Sequence, residues 1–154
     1  MALDVGDRTP DFSTVADDGR PVTSADLKGK TVVFYFYPRA DTPGCTTEAC
    51  GIRDEFGAFQ RRGTEVIGVS PDTAEAQAAF KAKYNLPFTL LADPDHQIAE
   101  AFGAWGLREV RGQQVLGVRR MTFILGPDGK VQQVFPQVTP ADHAQELLQA
   151  LAPA

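Results

Sequence analysis

An unbroken run of β-branched and aromatic residues, Thr31-Val32-Val33-Phe34-Tyr35-Phe36-Tyr37, stands out in a chain whose apolar positions otherwise come in short blocks. A run that is apolar on both faces predicts a central strand covered on both sides. Glu65–Ser70 reads as a second buried strand and Thr89–Ala92 as a short third. Between them the period changes. Ile52, Phe56 and Phe59 recur at helical spacing and predict a helix from about Thr46 to Arg61, ended by Gly63. Pro71-Asp72-Thr73 opens another helix through about Tyr84, with Ala76, Ala79, Phe80 and Tyr84 on one face. Ile98–Phe102 predicts a brief helix. Pro140–Leu151 predicts a closing one, with His143, Leu147, Leu148 and Leu151 spaced as one face.

Turn chemistry places the remaining strands. Asp17-Asp18-Gly19-Arg20 joins extended pieces at Phe12–Val15 and Pro21–Thr23 into an N-terminal hairpin. Ser24 reads as the cap of a short turn through Leu27, closed by Gly29. Gly126-Pro127-Asp128-Gly129 separates strands at Gly117–Leu125 and Lys130–Phe135. The stretch from Gly103 to Gly117 is glycine-rich and yields no clear element. Strands alternating with helices, then a hairpin and a last helix, imply an α/β fold with helices on both sheet faces. No repeat or long linker divides the 154 residues, so one domain is expected.

Composition narrows the function. Apolar content of 43% and charged content of 23% are those of an ordinary globular chain. A net charge of −5 argues against nucleic acid as the partner. No apolar run approaches the roughly 18–20 residues of a membrane span. The first residues lack the basic and apolar regions of a signal peptide, so a cytoplasmic location is expected. In that reducing setting the only two cysteines, Cys45 and Cys50, point to chemistry more than to a permanent cross-link.

Cys45 follows a strand and a Thr-Pro-Gly turn, where a helix starts. Helix starts carry free N–H groups and a partial positive charge, and both favour a thiolate, the reactive form of cysteine. A zinc site would need four ligands, and of the candidates, Cys45, Cys50, His96 and His143, the two histidines fall on distant, separate elements. Cys50 could also be a small inner hydrophobe. Cys45, at an exposed turn, fits that reading poorly. His143 reads as a partly buried surface residue, Phe102 and Trp105 as packing residues, and Asp93 and Asp95 as turn formers. With four residues between the cysteines, an intact helix holds their Cα atoms about 8.6 Å apart, past the roughly 7 Å limit for a disulfide. Any bond between them requires the first helical turns to open.

Pro38-x-x-x-Thr42-x-x-Cys45 resembles the active-site signature of peroxiredoxins. The fuller string from Phe36 to Cys50 is similar to the two-cysteine branch called bacterioferritin comigratory protein or PrxQ. Val5–Phe12 and Arg120–Leu125 extend the likeness over nearly the whole chain. The resemblance implies a thioredoxin-like fold and a thiol peroxidase that reduces hydrogen peroxide and organic hydroperoxides. It implies Cys45 as the peroxidatic nucleophile and Cys50 as the resolving cysteine. Thr42 would hydrogen-bond peroxide and thiolate, Pro38 would shield the sulfur, and Arg120 would supply a fixed positive charge oriented by Glu48. In the strand expected there, Arg119 and Arg120 point to opposite faces, and the family spacing selects Arg120. Thioredoxin or a similar dithiol would close the cycle, with no cofactor and no metal, and an intramolecular cycle leaves no chemical need for a dimer. A general thiol–disulfide oxidoreductase, disfavoured by the lack of Cys-x-x-Cys, and a redox sensor are the alternatives.

Overall fold

The computed structural model describes residues 3–151. The chain runs β1 (Ser13–Val15), β2 (Pro21–Thr23), a 3-10 turn (Ser24–Leu27), β3 (Thr31–Phe36), α1 (Pro43–Asp54), α2 (Phe56–Arg61) and β4 (Thr64–Ser70). It continues through α3 (Ala74–Tyr84), β5 (Thr89–Ala92), α4 (Gln97–Phe102), β6 (Trp105–Val110), β7 (Gln113–Val118), β8 (Met121–Leu125), β9 (Val131–Phe135) and α5 (His143–Ala150). The central sheet is mixed, with strand order β5-β4-β3-β8-β9. The apolar run forms β3 at its middle, parallel to β4 and antiparallel to β8.

Period-2 alternation splits the core in two. Val32, Phe34 and Phe36 of β3 join Met121, Phe123 and Leu125 of β8 on one face, under α4 and the N-terminal hairpin. Phe34 stacks on Phe102 there, with ring centroids 4.9 Å apart. Val33 and Tyr35 point the other way, beneath α1, α2, α3 and α5, with Ile124, Ile52, Phe59, Phe80 and Leu147. Each large side chain so buried contributes roughly 1.5–3 kcal/mol. Cys45 belongs to this second cluster.

Several expectations need correction. The helix expected over Thr46–Arg61 starts earlier, at Pro43, and breaks at Glu55, so that α2 sets Phe59 into the core below. Thr73 is the cap of α3 and not part of it: its hydroxyl accepts from the Ala76 amide at 3.2 Å. Ala79 is exposed, and the buried residues of α3 are Gln77 and Phe80. The cap of the 3-10 turn is Thr23, whose amide donates to Asp26, and not Ser24. The closing helix starts at His143.

The unassigned Gly103–Gly117 stretch is mostly a hairpin of β6 and β7, turned at Arg111-Gly112 with both residues at positive φ. The strand expected over Gly117–Leu125 is interrupted at Arg119-Arg120, which link β7 to β8. The two arginines nonetheless face opposite ways. Arg119 donates to the carbonyl of Gly103, and Arg120 reaches toward α1. Phe102 packs in the first cluster and Trp105 stacks on His96, 3.7 Å between centroids. Asp93 accepts from the amides of Ile98 and Ala99 at the start of α4. Among the described residues, no helix is long and apolar enough to cross a membrane, and no three His, Cys, Asp or Glu gather in a metal-binding group.

Candidate active site

The loop after β3 is held from one side. The Tyr37 amide still bonds the sheet at Val69, while its buried hydroxyl donates to Gln77 at 2.6 Å. The Ala40 amide donates to Asp72 at 2.8 Å. Asp41 adopts a left-handed conformation, φ 62°, with its carboxylate accepting from Lys83 and from the Tyr84 hydroxyl. Those two donors hold its carboxyl below the usual range. Thr42 then stands at the N-cap position of α1 without a side-chain cap bond, Pro43 fills the first helical position, where its missing N–H costs nothing, and Gly44 is second. Cys45 is third, in the turn whose N–H groups have no carbonyl one turn back.

Cys45 is 1% exposed, contrary to the exposed turn expected from Thr-Pro-Gly. Pro43 and Gly44 are helical, and the helix folds the sulfur inward onto the cluster beneath α1. There Arg120 Nη1 lies 3.3 Å from Cys45 Sγ and 3.2 Å from Glu48 Oε1. One guanidinium nitrogen thus faces both a sulfur and a carboxylate. It sets a positive charge within hydrogen-bond distance of the sulfur.

The approach needs Gly44. A Cβ there would sit 2.5 Å from Arg120 Nη2, so any larger residue would displace the guanidinium. Nothing in the sequence reading pointed to Gly44 in this role; only the three-dimensional closeness does.

Glu48 is 1% exposed, and its second carboxylate oxygen has no partner among the described residues. Burial pushes its carboxyl up to about 7 although Arg120 pulls the other way. The consequence for stability has a definite sign. Between the ordinary value of 4.5 and about 7, the unfolded chain ionises before the folded one. Stability therefore falls as pH rises through that window and levels off above it, by at most roughly 3 kcal/mol. Glu48→Gln keeps an oxygen for Arg120 and removes the titration. Denaturant midpoints at about pH 5 and about pH 8 should show the variant gaining on wild type at the higher pH.

The other expected site residues lie on the same elements. Pro38 is half-buried just past β3. The Thr42 hydroxyl donates to the Arg39 carbonyl at 2.9 Å. Its oxygen keeps an acceptor site for a donor entering the pocket. Cys50 is part-exposed, not a fully inner residue, and both cysteines are free on one unbroken α1.

His143, expected near the surface, is fully buried. Its Nε2 meets the Thr122 hydroxyl at 2.7 Å and its Nδ1 meets Glu146 at 3.0 Å. Burial lowers its pKa despite Glu146. The side chain ties α5 to β8, and its charge-free form suits that place.

A family model described as the AhpC/TSA family matches residues 5–134. Peroxiredoxin Bcp of Bacillus subtilis is 43% identical over 151 residues, 98% of this chain and 96% of its own. Among solved structures, Xanthomonas campestris Peroxiredoxin Q superposes with a TM-score of 0.87 at 35% identity, covering 96% of this chain and 94% of that one. A study of the alkyl peroxide reduction activity of the Xanthomonas campestris bacterioferritin comigratory protein gives a TM-score of 0.86 at 34% identity, with the same coverage. The mixed sheet flanked by helices is the thioredoxin-like fold of these peroxiredoxins. With the cysteine, arginine and carboxylate in place and relatives matched end to end, this chain belongs to the AhpC/TSA family, among its Bcp/PrxQ peroxiredoxins.

Proposed function

We propose that the protein is a thiol peroxidase in which Cys45 attacks a hydroperoxide and Cys50 resolves the product. The observation that carries this reading is Arg120 Nη1 at 3.3 Å from a buried Cys45 Sγ in the first turn of a helix. The Cys45 thiolate attacks the terminal oxygen of ROOH. The S–O bond forms as the O–O bond breaks, RO⁻ leaves and takes a proton to become ROH, and Cys45 is left as a sulfenic acid. The Cys50 thiol then attacks that sulfur, and the disulfide forms as water departs. A dithiol such as thioredoxin reduces the bond and is itself oxidised to a disulfide.

Thr42 accepts from the peroxide O–H, Pro38 shields the sulfur, and Glu48 orients Arg120. The alkyl peroxide activity of the Xanthomonas campestris relative supports organic hydroperoxides alongside hydrogen peroxide as substrates. No cofactor or metal takes part. The chain acts as one domain and as a monomer in the cytoplasm, without a nucleic-acid or membrane partner.

Cys50→Ser separates the two sulfurs. With thioredoxin, its reductase and NADPH, the variant should lose most steady-state turnover and accumulate a Cys45 sulfenic acid that dimedone traps. Undiminished thioredoxin-driven cycling without Cys50 would remove it from the mechanism. Stoichiometric oxidation of wild type without cycling would favour the sensor reading.

A further inference from the structure

We infer that Tyr84 is a positioning residue for the Cys45–Cys50 step: its hydroxyl and its carbonyl hold the two ends of α1, confining the opening of the helix to the segment between Asp41 and Arg53. The inference rests on the resolving role proposed for Cys50. The Tyr84 hydroxyl donates to Asp41 at 2.7 Å, just before α1 begins. Its backbone carbonyl accepts from Arg53 Nη1, also at 2.7 Å, in the last turn of α1.

That carbonyl ends α3, where it has no intrahelical donor, so Arg53 supplies one from outside. Lys83 adds a second hold on Asp41 at 2.8 Å, and Asp72 holds the neighbouring Ala40 amide. The Tyr84 ring packs edge-on against buried Phe80, 5.6 Å between centroids, which keeps the residue in place. One residue at the end of a separate helix thus anchors both flanks of the segment that must unwind. Between the flanks, the polar contact that holds α1 to another element is Arg120 with Cys45 and Glu48. Oxidation of Cys45 alters that contact, whereas the Tyr84 contacts carry no sulfur and persist. Opening in the middle with fixed ends lets α1 rewind in register once the disulfide is reduced.

Amide exchange on the full-length protein, as dithiol and as peroxide-formed disulfide, tests this. In wild type, protection should fall on forming the disulfide at Thr46, whose amide bonds the Thr42 carbonyl, and around Cys50. The Ala40 and Glu55 amides, bonded to Asp72 and to Ile52, should keep theirs. In Tyr84→Phe, exchange at Ala40–Thr42 should rise roughly three- to tenfold in the disulfide form and less in the dithiol form. In Arg53→Met, the same selective rise should appear at Ile52–Glu55.

Flanks that already lose protection in the wild-type disulfide, or variants that shift both redox forms equally, would overturn the inference. Peptide mapping of the same samples separates the two failures. If the Cys45–Cys50 bond is present and the flanks are loose, only the role of Tyr84 falls. If the bond is missing, the resolving role of Cys50 falls as well.

Discussion

Cys45→Ser is expected to abolish peroxide consumption, by at least about a thousandfold in initial rate. A serine oxygen in the same place stays protonated at neutral pH and forms no sulfenic acid. The fold should survive. The position is 1% exposed, but Arg120 Nη1 is within reach of the new hydroxyl and would satisfy it. The net loss of stability should stay within the roughly 1–3 kcal/mol of an imperfectly paired buried hydroxyl. Stopped-flow peroxide consumption together with a thermal melt separates lost chemistry from lost folding. Peroxide consumption at the wild-type rate by a folded Cys45→Ser protein would sink the assignment.

Arg120→Met should give the second-largest effect, for two reasons that act on different measurements. The first is chemical. A charge-assisted hydrogen bond contributes about 1.5–3 kcal/mol, so losing the one to the attacking sulfur should slow the peroxide reaction roughly ten- to hundredfold. The second is structural. Glu48 loses the guanidinium that opposes the effect of its burial, so its carboxyl should move further above 7 and the stability lost with rising pH should grow.

Adding Glu48→Gln to Arg120→Met should restore much of the stability at about pH 8 and none of the rate. If the double variant recovers both, Arg120 acts through Glu48 alone and not on the sulfur.

How much of this was legible in the sequence depended on whether the cue was local. The β3 run, the Asp-Gly and Pro-Asp-Gly turns and the helical spacing of Ile52 and Phe59 are short-range signals, and the architecture followed from them. The β6–β7 hairpin escaped because its turn uses Arg111 at φ 51° where Asn or Asp would normally mark it. The depth of Cys45 was misread because a Pro-Gly pair signals a loop, yet both residues lie inside α1. His143 looked superficial because its partner, Thr122, is 21 residues away on a strand. Neither the Pro-Gly turn nor the helical spacing of Tyr84 signalled the contacts that Gly44 and Tyr84 make. Their roles exist only where Arg120 crosses α1 and where α3 ends beside it. Arg120 itself was chosen by family spacing, and the alternation that separates it from Arg119 holds even though neither lies in a strand.

Peroxide should convert Cys45 to a sulfenic acid that Cys50 of the same chain resolves. Mass spectrometry of the reduced protein after a single equivalent of peroxide tests it most directly, using non-reducing peptide maps. The expected product is a monomer lighter by two hydrogens, with Cys45 and Cys50 joined in one cross-linked peptide. A Cys45 that keeps its added oxygen while Cys50 stays free, or a disulfide between two chains, would contradict it.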